Sequence, residues 1–202
     1  HLLSRRQRQM CIRDRNEWWG VKGMGTMPHA LIQLFKGDVV VAAEAYHVTF
    51  PEDDLIVLVD YNNDVITDAL RVARHFGEAL KGVRIDTSRT MVDQYFIRNP
   101  EVMGSFDPRG VNAELVCALR RALDAEGFGH VQIVVSGGFD KDRILMFERE
   151  GVPVDMYGVG ASLLKINIGF TGDNVLLNGE HCAKAGRKLN PNPRLEKVAY
   201  KV

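Results

Sequence analysis

Two glycine-bearing segments have the composition of phosphate-binding turns, and each follows a short apolar run. They are Ser136-Gly137-Gly138, after residues 131–135, and Gly158-Val159-Gly160, after residues 154–157. Glycine permits positive φ and close backbone approach, so several amide N–H groups can converge on the oxygens of one phosphate. Any tight turn from strand to helix can also use glycine, and one such turn alone would favour that explanation. Because two occur in succession, we predict a phosphate site at these turns.

A second polar cluster, Arg84, Asp86, Thr87 and Ser88, stands at the end of another short apolar run. A cation, a carboxylate and two hydroxyl groups are suited to bind a sugar phosphate. Arg84 and Asp86 alternate along a strand, so their side chains share one face, which in a barrel would be the interior. A purely structural ion pair explains the same two residues equally well. Asp60, at the end of an earlier strand, has the same ambiguity.

His29 is a candidate nucleophile at the start of a predicted helix, after the glycine-rich residues 23–28. The N–H groups at a helix start favour anions, so a phosphoryl group on this imidazole would be stabilised there. They also favour the neutral imidazole, which is the nucleophilic form. From the residues alone, a histidine that only caps the turn remains the simpler explanation.

These residues lie within an alternation of strand and helix patterns. We predict strands at residues 55–60, 83–86, 131–135 and 154–157, and helices at residues 28–35, 39–47, 64–80, 111–126 and 141–150. Strands separated by helices need crossover connections, so they form a parallel sheet with its functional loops at the carboxyl ends of the strands. A doubly wound sheet or a barrel is possible. A barrel would be incomplete, because eight strand–helix units take roughly 250 residues.

The two ends of the chain differ from this alternating region. Residues 1–15 are rich in arginine without a core-forming period, which predicts a non-native or disordered leader. Residues 16–164 are the predicted partial α/β barrel, and residues 165–202 are a predicted short β element with an irregular, proline-bearing tail. Within that element we expect residues 165–169 to pair with residues 174–177 across a turn at residues 171–173.

The overall composition argues against several classes of function. The formal net charge of +0 over 202 residues gives no global field to recruit nucleic acid or an anionic membrane, so any phosphate site must be local. No apolar run reaches the roughly 18 to 20 residues that span a bilayer. The cysteines, Cys11, Cys117 and Cys182, lack paired spacing, so we predict no disulfide framework and no metal site and expect a reducing, cytoplasmic setting.

Four segments together resemble the nicotinate phosphoribosyltransferase family in order and spacing. They are Gly25-Thr26-Met27-Pro28-His29, Gly82-Val83-Arg84-Ile85-Asp86-Thr87-Ser88, Ile133-Val134-Val135-Ser136-Gly137-Gly138-Phe139 and Asp155-Met156-Tyr157-Gly158-Val159-Gly160. The resemblance runs from about Trp18 to Val198 and includes late segments at residues 182–186 and 192–195. Each segment is weak alone, and jointly they are specific.

The resemblance implies an irregular α/β barrel of the type II phosphoribosyltransferase kind and a homodimer. It implies the reaction of nicotinate with 5-phosphoribosyl 1-diphosphate to nicotinate mononucleotide and diphosphate, in NAD biosynthesis, with ATP hydrolysis and Mg²⁺ assisting. His29 matches the family's transiently phosphorylated histidine. The strand end at Arg84, Asp86, Thr87 and Ser88 would face the phosphoribosyl group, and the turns at residues 136–138 and 158–160 would hold its 5-phosphate.

One departure from the family is the run Thr87-Ser88-Arg89, where many relatives follow the aspartate with Ser-Gly-Asp. A phosphoribosyl contact at Arg89 is therefore not carried over. The family's N-terminal part, with arginines for the nicotinate carboxylate, has no counterpart in this sequence, so the choice between nicotinate and nicotinamide stays open. The alternatives are a nicotinamide or quinolinate phosphoribosyltransferase-like barrel enzyme, and a non-catalytic phosphate-binding fragment.

Overall fold

The computed structural model describes residues 26–104, 106–160, 162, 174–183 and 185–194. Its helices are α1 (His29–Leu34), α2 (Val39–Thr49), α3 (Val65–Phe76), α4 (Gln94–Arg98), α5 (Ala113–Ala125) and α6 (Lys141–Arg149). Its strands are β1 (Leu55–Leu58), β2 (Leu80–Ile85), β3 (Gln132–Val135), β4 (Met156–Tyr157), β5 (Leu176–Leu177) and β6 (Glu180–His181). Short 3₁₀ helices cover Gly77–Ala79 and Pro100–Val102.

The first four strands form one parallel sheet in the order β1-β2-β3-β4. Every residue of β1 is buried, and β3 is buried from Ile133 to Val135, as expected for strands covered on both faces. The predicted parallel α/β sheet is therefore confirmed. The described strands do not demonstrate a closed barrel, so the barrel stays a prediction.

Amphipathic helices supply the layer over the sheet. α3 buries Val65, Ala69 and Val72 at helical spacing, and it packs against α5, which buries Leu115 and Leu119. The Asn112 side chain caps α5 by accepting the Leu115 N–H at 2.9 Å. These helices fix the connections between strands and so set where each strand ends.

α3 ends earlier than predicted. We expected a helix through residue 80, but it ends at Phe76 because Gly77 adopts a φ of 53°. β2 therefore begins at Leu80 rather than at Val83. Gly82 then lies so close to β3 that a Cβ atom there would be 2.9 Å from the Gln132 carbonyl oxygen. The close approach of these two strands depends on that glycine.

Asp93 joins the loop after β2 to the start of α3. This fully buried carboxylate accepts the Val65 N–H at 3.0 Å and the Tyr95 N–H at 2.8 Å, so one side chain caps both α3 and α4. Burial raises the pKa of Asp93 to about 6. The two caps hold the polar loops at the carboxyl end of the sheet in a defined arrangement.

The chain divides into two compact units, His1–Lys165 and Ile166–Val202. In the second unit β5 and β6 form an antiparallel hairpin across Asn178 and Gly179, whose φ values are 52° and 87°. These angles match the two-residue hairpin turn that Asn-Gly favours. The sequence analysis missed this turn, and the expected partner strand at residues 165–169 lies outside the described residues, as does the leader at residues 1–15.

Within the described ranges, no helix combines the length and the apolar character that a membrane span requires. The cytoplasmic setting stays a prediction.

Candidate active site

The carboxyl ends of β1, β2 and β3 bring Asp60, Asp86 and Ser136 together. Neighbouring parallel strands end at one edge of the sheet, so residues that are far apart in sequence become adjacent. The Asp60 Oδ2 atom accepts the Asp86 backbone N–H at 3.2 Å, and the Ser136 N–H donates to the Ile85 carbonyl at 2.9 Å. The three strand ends therefore form one connected polar edge.

Arg84 and Asp86 form an ion pair within this edge. The Arg84 Nη2 atom is 2.7 Å from Asp86 Oδ2, and both side chains are about three-quarters buried. The other two guanidinium nitrogen atoms each have a partner. Nε donates to Ser136 Oγ at 3.1 Å, and Nη1 donates to Thr26 Oγ1 at 3.1 Å. Ser136 Oγ in turn donates to Asp86 Oδ1 at 2.7 Å. Arg84 thus forms the expected ion pair and orients the Asp86 carboxylate, and its predicted contact with substrate stays a prediction.

His29 reaches the same edge from the first turn of α1. Its Nε2 atom lies 3.2 Å from Asp60 Oδ1, with the imidazole 45% exposed and the aspartate side chain 3% exposed. The contact is at ion-pair distance without an aligned hydrogen bond, and Asp60 Oδ1 has no other partner among the described residues. Burial raises the pKa of Asp60, while the nearby His29 opposes that shift.

A cavity of about 290 Å³ opens between these groups. It is lined by His29, Asp60, Tyr61, Asp86, Thr87, Ser88 and Met91. The Thr87 hydroxyl is buried and, like Asp60 Oδ1, has no hydrogen-bond partner among the described residues. Buried polar atoms without partners are costly, and both residues that carry these two atoms line the cavity. The predicted site residues His29, Asp86, Thr87 and Ser88 are thus brought together.

The two glycine turns lie next to each other at the ends of β3 and β4. Gly137 and Gly138 have φ values of 90° and 79°, and a Cβ atom on Gly137 would be 3.3 Å from the Thr87 carbonyl oxygen. Gly158 donates its N–H to the Val135 carbonyl at 2.7 Å, and a Cβ atom there would be 2.9 Å from Ser136 Cβ. The first turn therefore borders the cavity residues, and the second borders the first.

The backbone N–H groups of Gly137, Gly138, Val159 and Gly160 have no acceptor among the described residues. Unpaired amides at adjacent turns can bind an anion. Two arginines that were not predicted as site residues, Arg89 and Arg143, bind the carbonyl oxygens of the first turn. The Arg89 Nη2 atom donates to the Gly138 carbonyl at 2.7 Å, and the Arg143 Nη1 atom donates to the Gly137 carbonyl at 3.1 Å. The only sequence signal for Arg143 was its place in the helix that directly follows the turn.

Thr26, which accepts a hydrogen bond from Arg84, was not predicted as a site residue, although it lies in one of the segments that carry the resemblance.

Among the described residues, no group of three or more His, Cys, Asp or Glu side chains could hold a metal ion.

Comparisons with known proteins agree with the resemblance. No protein-family model matches the chain. The nicotinate phosphoribosyltransferase pncB2 of Mycobacterium tuberculosis is 32% identical over 148 residues, which are 72% of this chain and 27% of that protein. A nicotinate phosphoribosyltransferase of Bacillus subtilis is 28% identical over 145 residues, which are 69% of this chain and 24% of that protein. The chain thus spans about a quarter of the length of these curated relatives.

A solved structure supports the fold. The crystal structure of nicotinate-nucleotide pyrophosphorylase from Pyrococcus furiosus superposes with a TM-score of 0.63 and 32% identity, covering 84% of this chain and 39% of that one. Over about 70% of its length, the chain is therefore similar in sequence to nicotinate phosphoribosyltransferases.

Proposed function

We propose that the intact protein containing this chain is a nicotinate phosphoribosyltransferase. It would join nicotinate to 5-phosphoribosyl 1-diphosphate and form nicotinate mononucleotide and diphosphate, in the salvage route to NAD. The observation that carries the proposal is the shared cavity of His29, Asp60 and Asp86 beside two glycine turns, whose amides have no acceptor among the described residues, in a chain similar to this family. Neither the cavity nor the relationship alone would specify the reaction.

The phosphoribosyl group would lie along the polar edge with its phosphate at the glycine turns. The unpaired amides of Gly137, Gly138, Val159 and Gly160 would bind the 5-phosphate, because amide donors stabilise a phosphate without a full countercharge. Asp86, held by Arg84 and Ser136, would accept hydrogen bonds from the ribose hydroxyl groups. The hydroxyl groups of Thr87 and Ser88 line the same cavity and could bind either the ribose or its phosphates.

The chemical step is the loss of diphosphate from the ribose, which leaves positive character on the anomeric carbon. The ring nitrogen of nicotinate then forms the new bond to that carbon, and the electron pair of the broken bond leaves with diphosphate. The diphosphate would leave as its Mg²⁺ complex, in which the bound cation would reduce the negative charge of the leaving group. The buried carboxylates of Asp60 and Asp86 would favour positive character near the ribose.

His29 would couple ATP hydrolysis to this reaction as a phosphohistidine. When Nε2 carries the proton and faces Asp60, Nδ1 has the lone pair that attacks the γ-phosphorus, and ADP leaves. The phosphoryl group adds roughly two negative charges beside the cavity and changes the affinity for charged substrates. It does not have to touch the ribose.

Two larger features of the proposal follow from the resemblance. The four parallel strands with intervening helices would be half of an irregular eight-stranded barrel. The active enzyme would be a homodimer whose active site uses the neighbouring subunit.

Incubation of the intact protein with γ-labelled ATP tests the proposal. We expect an acid-labile label that is absent from His29→Ala and present in His75→Ala, a control outside the cavity whose imidazole pairs with Glu44. Product assays with nicotinate, nicotinamide and quinolinate should give a mononucleotide with nicotinate. A mononucleotide formed only from another base would contradict the proposal, as would an unlabelled wild-type protein.

A further inference from the structure

The Gly137–Gly138 turn is held by two guanidinium groups that belong to different parts of the chain. Arg89 follows β2 and donates to the Gly138 carbonyl, and Arg143 lies in α6 and donates to the Gly137 carbonyl. Both bonds hold carbonyl oxygens. Because each peptide unit is planar, a fixed carbonyl also fixes the N–H of the next residue. Arg143 therefore determines the direction of the Gly138 N–H, and Arg89 determines that of the Phe139 N–H.

Arg143 is the more firmly held of the two. Its Nη2 atom also donates to the Val111 carbonyl, and its guanidinium carbon stacks 4.2 Å from the centre of the Phe139 ring. The side chain thus joins the loop before α5 to the turn after β3. Arg89, by contrast, is exposed and donates only to Gly138 among the described residues.

Neither guanidinium has a carboxylate partner within ion-pair distance among the described residues. Burial and the neighbouring charge of Arg89 lower the pKa of Arg143, and the nearby Asp140 opposes that shift. Two cations beside one turn, neither in a direct ion pair among the described residues, create a positive potential that an anion at the turn would relieve. A tight turn that served packing alone would gain nothing from this concentration of like charge.

We propose that Arg143 is a positioning residue for phosphate binding, and that it acts by holding the Gly137 carbonyl so that the Gly138 N–H faces the 5-phosphate. This inference rests on the proposed function for the identity of the sugar phosphate. Arg143 does not contact the reacting atoms. Its removal should therefore weaken phosphate recognition more than it slows the chemical step.

The test compares Arg143→Met with Arg149→Met in the intact protein. Arg149 lies on the same helix and is exposed, so it controls for the loss of a cation from α6. Calorimetric titration with ribose 5-phosphate, which carries the 5-phosphate but no diphosphate, measures recognition directly. We expect Arg143→Met to bind it about tenfold or more weakly, as for one lost charged hydrogen bond. The control should bind like the wild type.

Kinetics and labelling separate a positioning role from a general loss of structure. In Arg143→Met we expect a raised KM for 5-phosphoribosyl 1-diphosphate, a nearly unchanged kcat, and normal ATP-dependent labelling of His29. Arg143→Lys keeps the charge but not the planar fork, so its affinity for ribose 5-phosphate should lie between those of Arg143→Met and the wild type. It replaces the methionine variant if that variant fails to fold.

Wild-type affinity for ribose 5-phosphate in both Arg143→Met and Arg143→Lys would overturn the inference. A wild-type protein that does not bind ribose 5-phosphate would also overturn it. Binding that depends on Arg143 in a protein that makes no mononucleotide would uphold the inference and refute the proposed function.

Discussion

His29 and Asp60 meet at 3.2 Å between Nε2 and Oδ1, and the two side chains differ sharply in exposure, 45% against 3%. The carboxylate is fixed at the end of β1 by burial and by the Asp86 N–H that it accepts. The imidazole remains open to a solute on its other side. The proposed phosphorylation of His29 would use this pairing of a buried acid with an accessible imidazole.

Asp60→Asn should separate function from stability at this contact. The amide loses the charge that orients and stabilises the imidazole, so we expect ATP-dependent labelling of His29 to slow by about 100-fold. Because burial raises the pKa of Asp60, the ionised form is costly in the fold, and removal of its charge should not lower the midpoint of thermal unfolding. Labelling rates and thermal melts measure the two effects.

Asp68→Asn is the matched control. Asp68 is also buried with its pKa raised chiefly by burial, but its carboxylate binds Asn62 and Arg71 and does not line the cavity. Its variant should label at the wild-type rate. Equal slowing in both variants would show that the effect comes from loss of a buried carboxylate in general.

A double-mutant cycle on Arg84 and Asp86 should show that the pair is structural while the carboxylate is also functional. Removal of Arg84 alone leaves Asp86 partly buried without its partner. The double variant Arg84→Met/Asp86→Asn should therefore lose less stability than the sum of the losses in its two single variants. We expect a coupling of about 1–3 kcal/mol from denaturant unfolding, because both side chains are only about a quarter exposed.

The ion pair of Arg109 with Asp107 serves as the comparison. Both of its side chains are more than half exposed, so its cycle should give no measurable coupling.

All variants without Asp86 should lose affinity for ribose 5-phosphate. Restored binding in the Arg84/Asp86 double variant would mean that the carboxylate does not contact the sugar.

The sequence predicted the elements whose signals are local. The apolar run of β1, the amphipathic spacing of α3 and the glycine turns after β3 and β4 all depend on neighbouring residues, and the structure has them near the predicted positions. One boundary was wrong for a local reason, because Gly77 ended α3 through its φ of 53°. The Asn178-Gly179 turn of the second unit was missed although its signal stood in the sequence, and the expected pairing of residues 165–169 stays a prediction.

The contacts of the site could not be predicted in the same way. Arg84 and Ser136 are 52 residues apart, and Arg89 and Gly138 are 49 residues apart. Their contacts exist only because parallel strands end at one edge, so the register of the sheet decides them. The register also placed Ser136 between Arg84 and Asp86, whose own ion pair within one strand was an alternative that the residues alone left open.

Gly158→Ala should push the two glycine turns apart. The new Cβ atom would start 2.9 Å from Ser136 Cβ and 3.5 Å from the Val135 carbonyl oxygen, so the β4 end or the Ser136 turn must move. We expect a loss of about 1–3 kcal/mol in the free energy of unfolding, together with weaker binding of ribose 5-phosphate. Denaturant unfolding and calorimetry measure these changes.

Gly104→Ala is the control for Gly158→Ala, because nothing lies within 4 Å of its added Cβ atom and its φ is not positive. It should be as stable as the wild type. If Gly158→Ala bound ribose 5-phosphate with wild-type affinity despite its lower stability, the two turns would not form one phosphate site.

The buried Asp93 should give the fold a distinct dependence on pH. Its pKa is about 6 in the folded protein against 3.8 for an exposed aspartate, so the native state binds the proton more tightly than the unfolded chain. The stability contributed by this group is therefore full below about pH 4 and is lost as the pH rises through about 6. The two pKa values set an upper limit of about 3 kcal/mol for the change.

Asp93→Asn isolates that contribution, because other carboxylates titrate in both proteins and cancel in the difference. The amide can accept only one of the Val65 and Tyr95 N–H bonds, so the variant should be less stable than the wild type at every pH. The difference in free energy of unfolding should be larger near pH 4 than near pH 7, since only the wild type gains stability from protonation in this window. A difference that stayed constant across the window would mean that Asp93 titrates alike in the folded and unfolded chain, and burial would then not govern its ionisation.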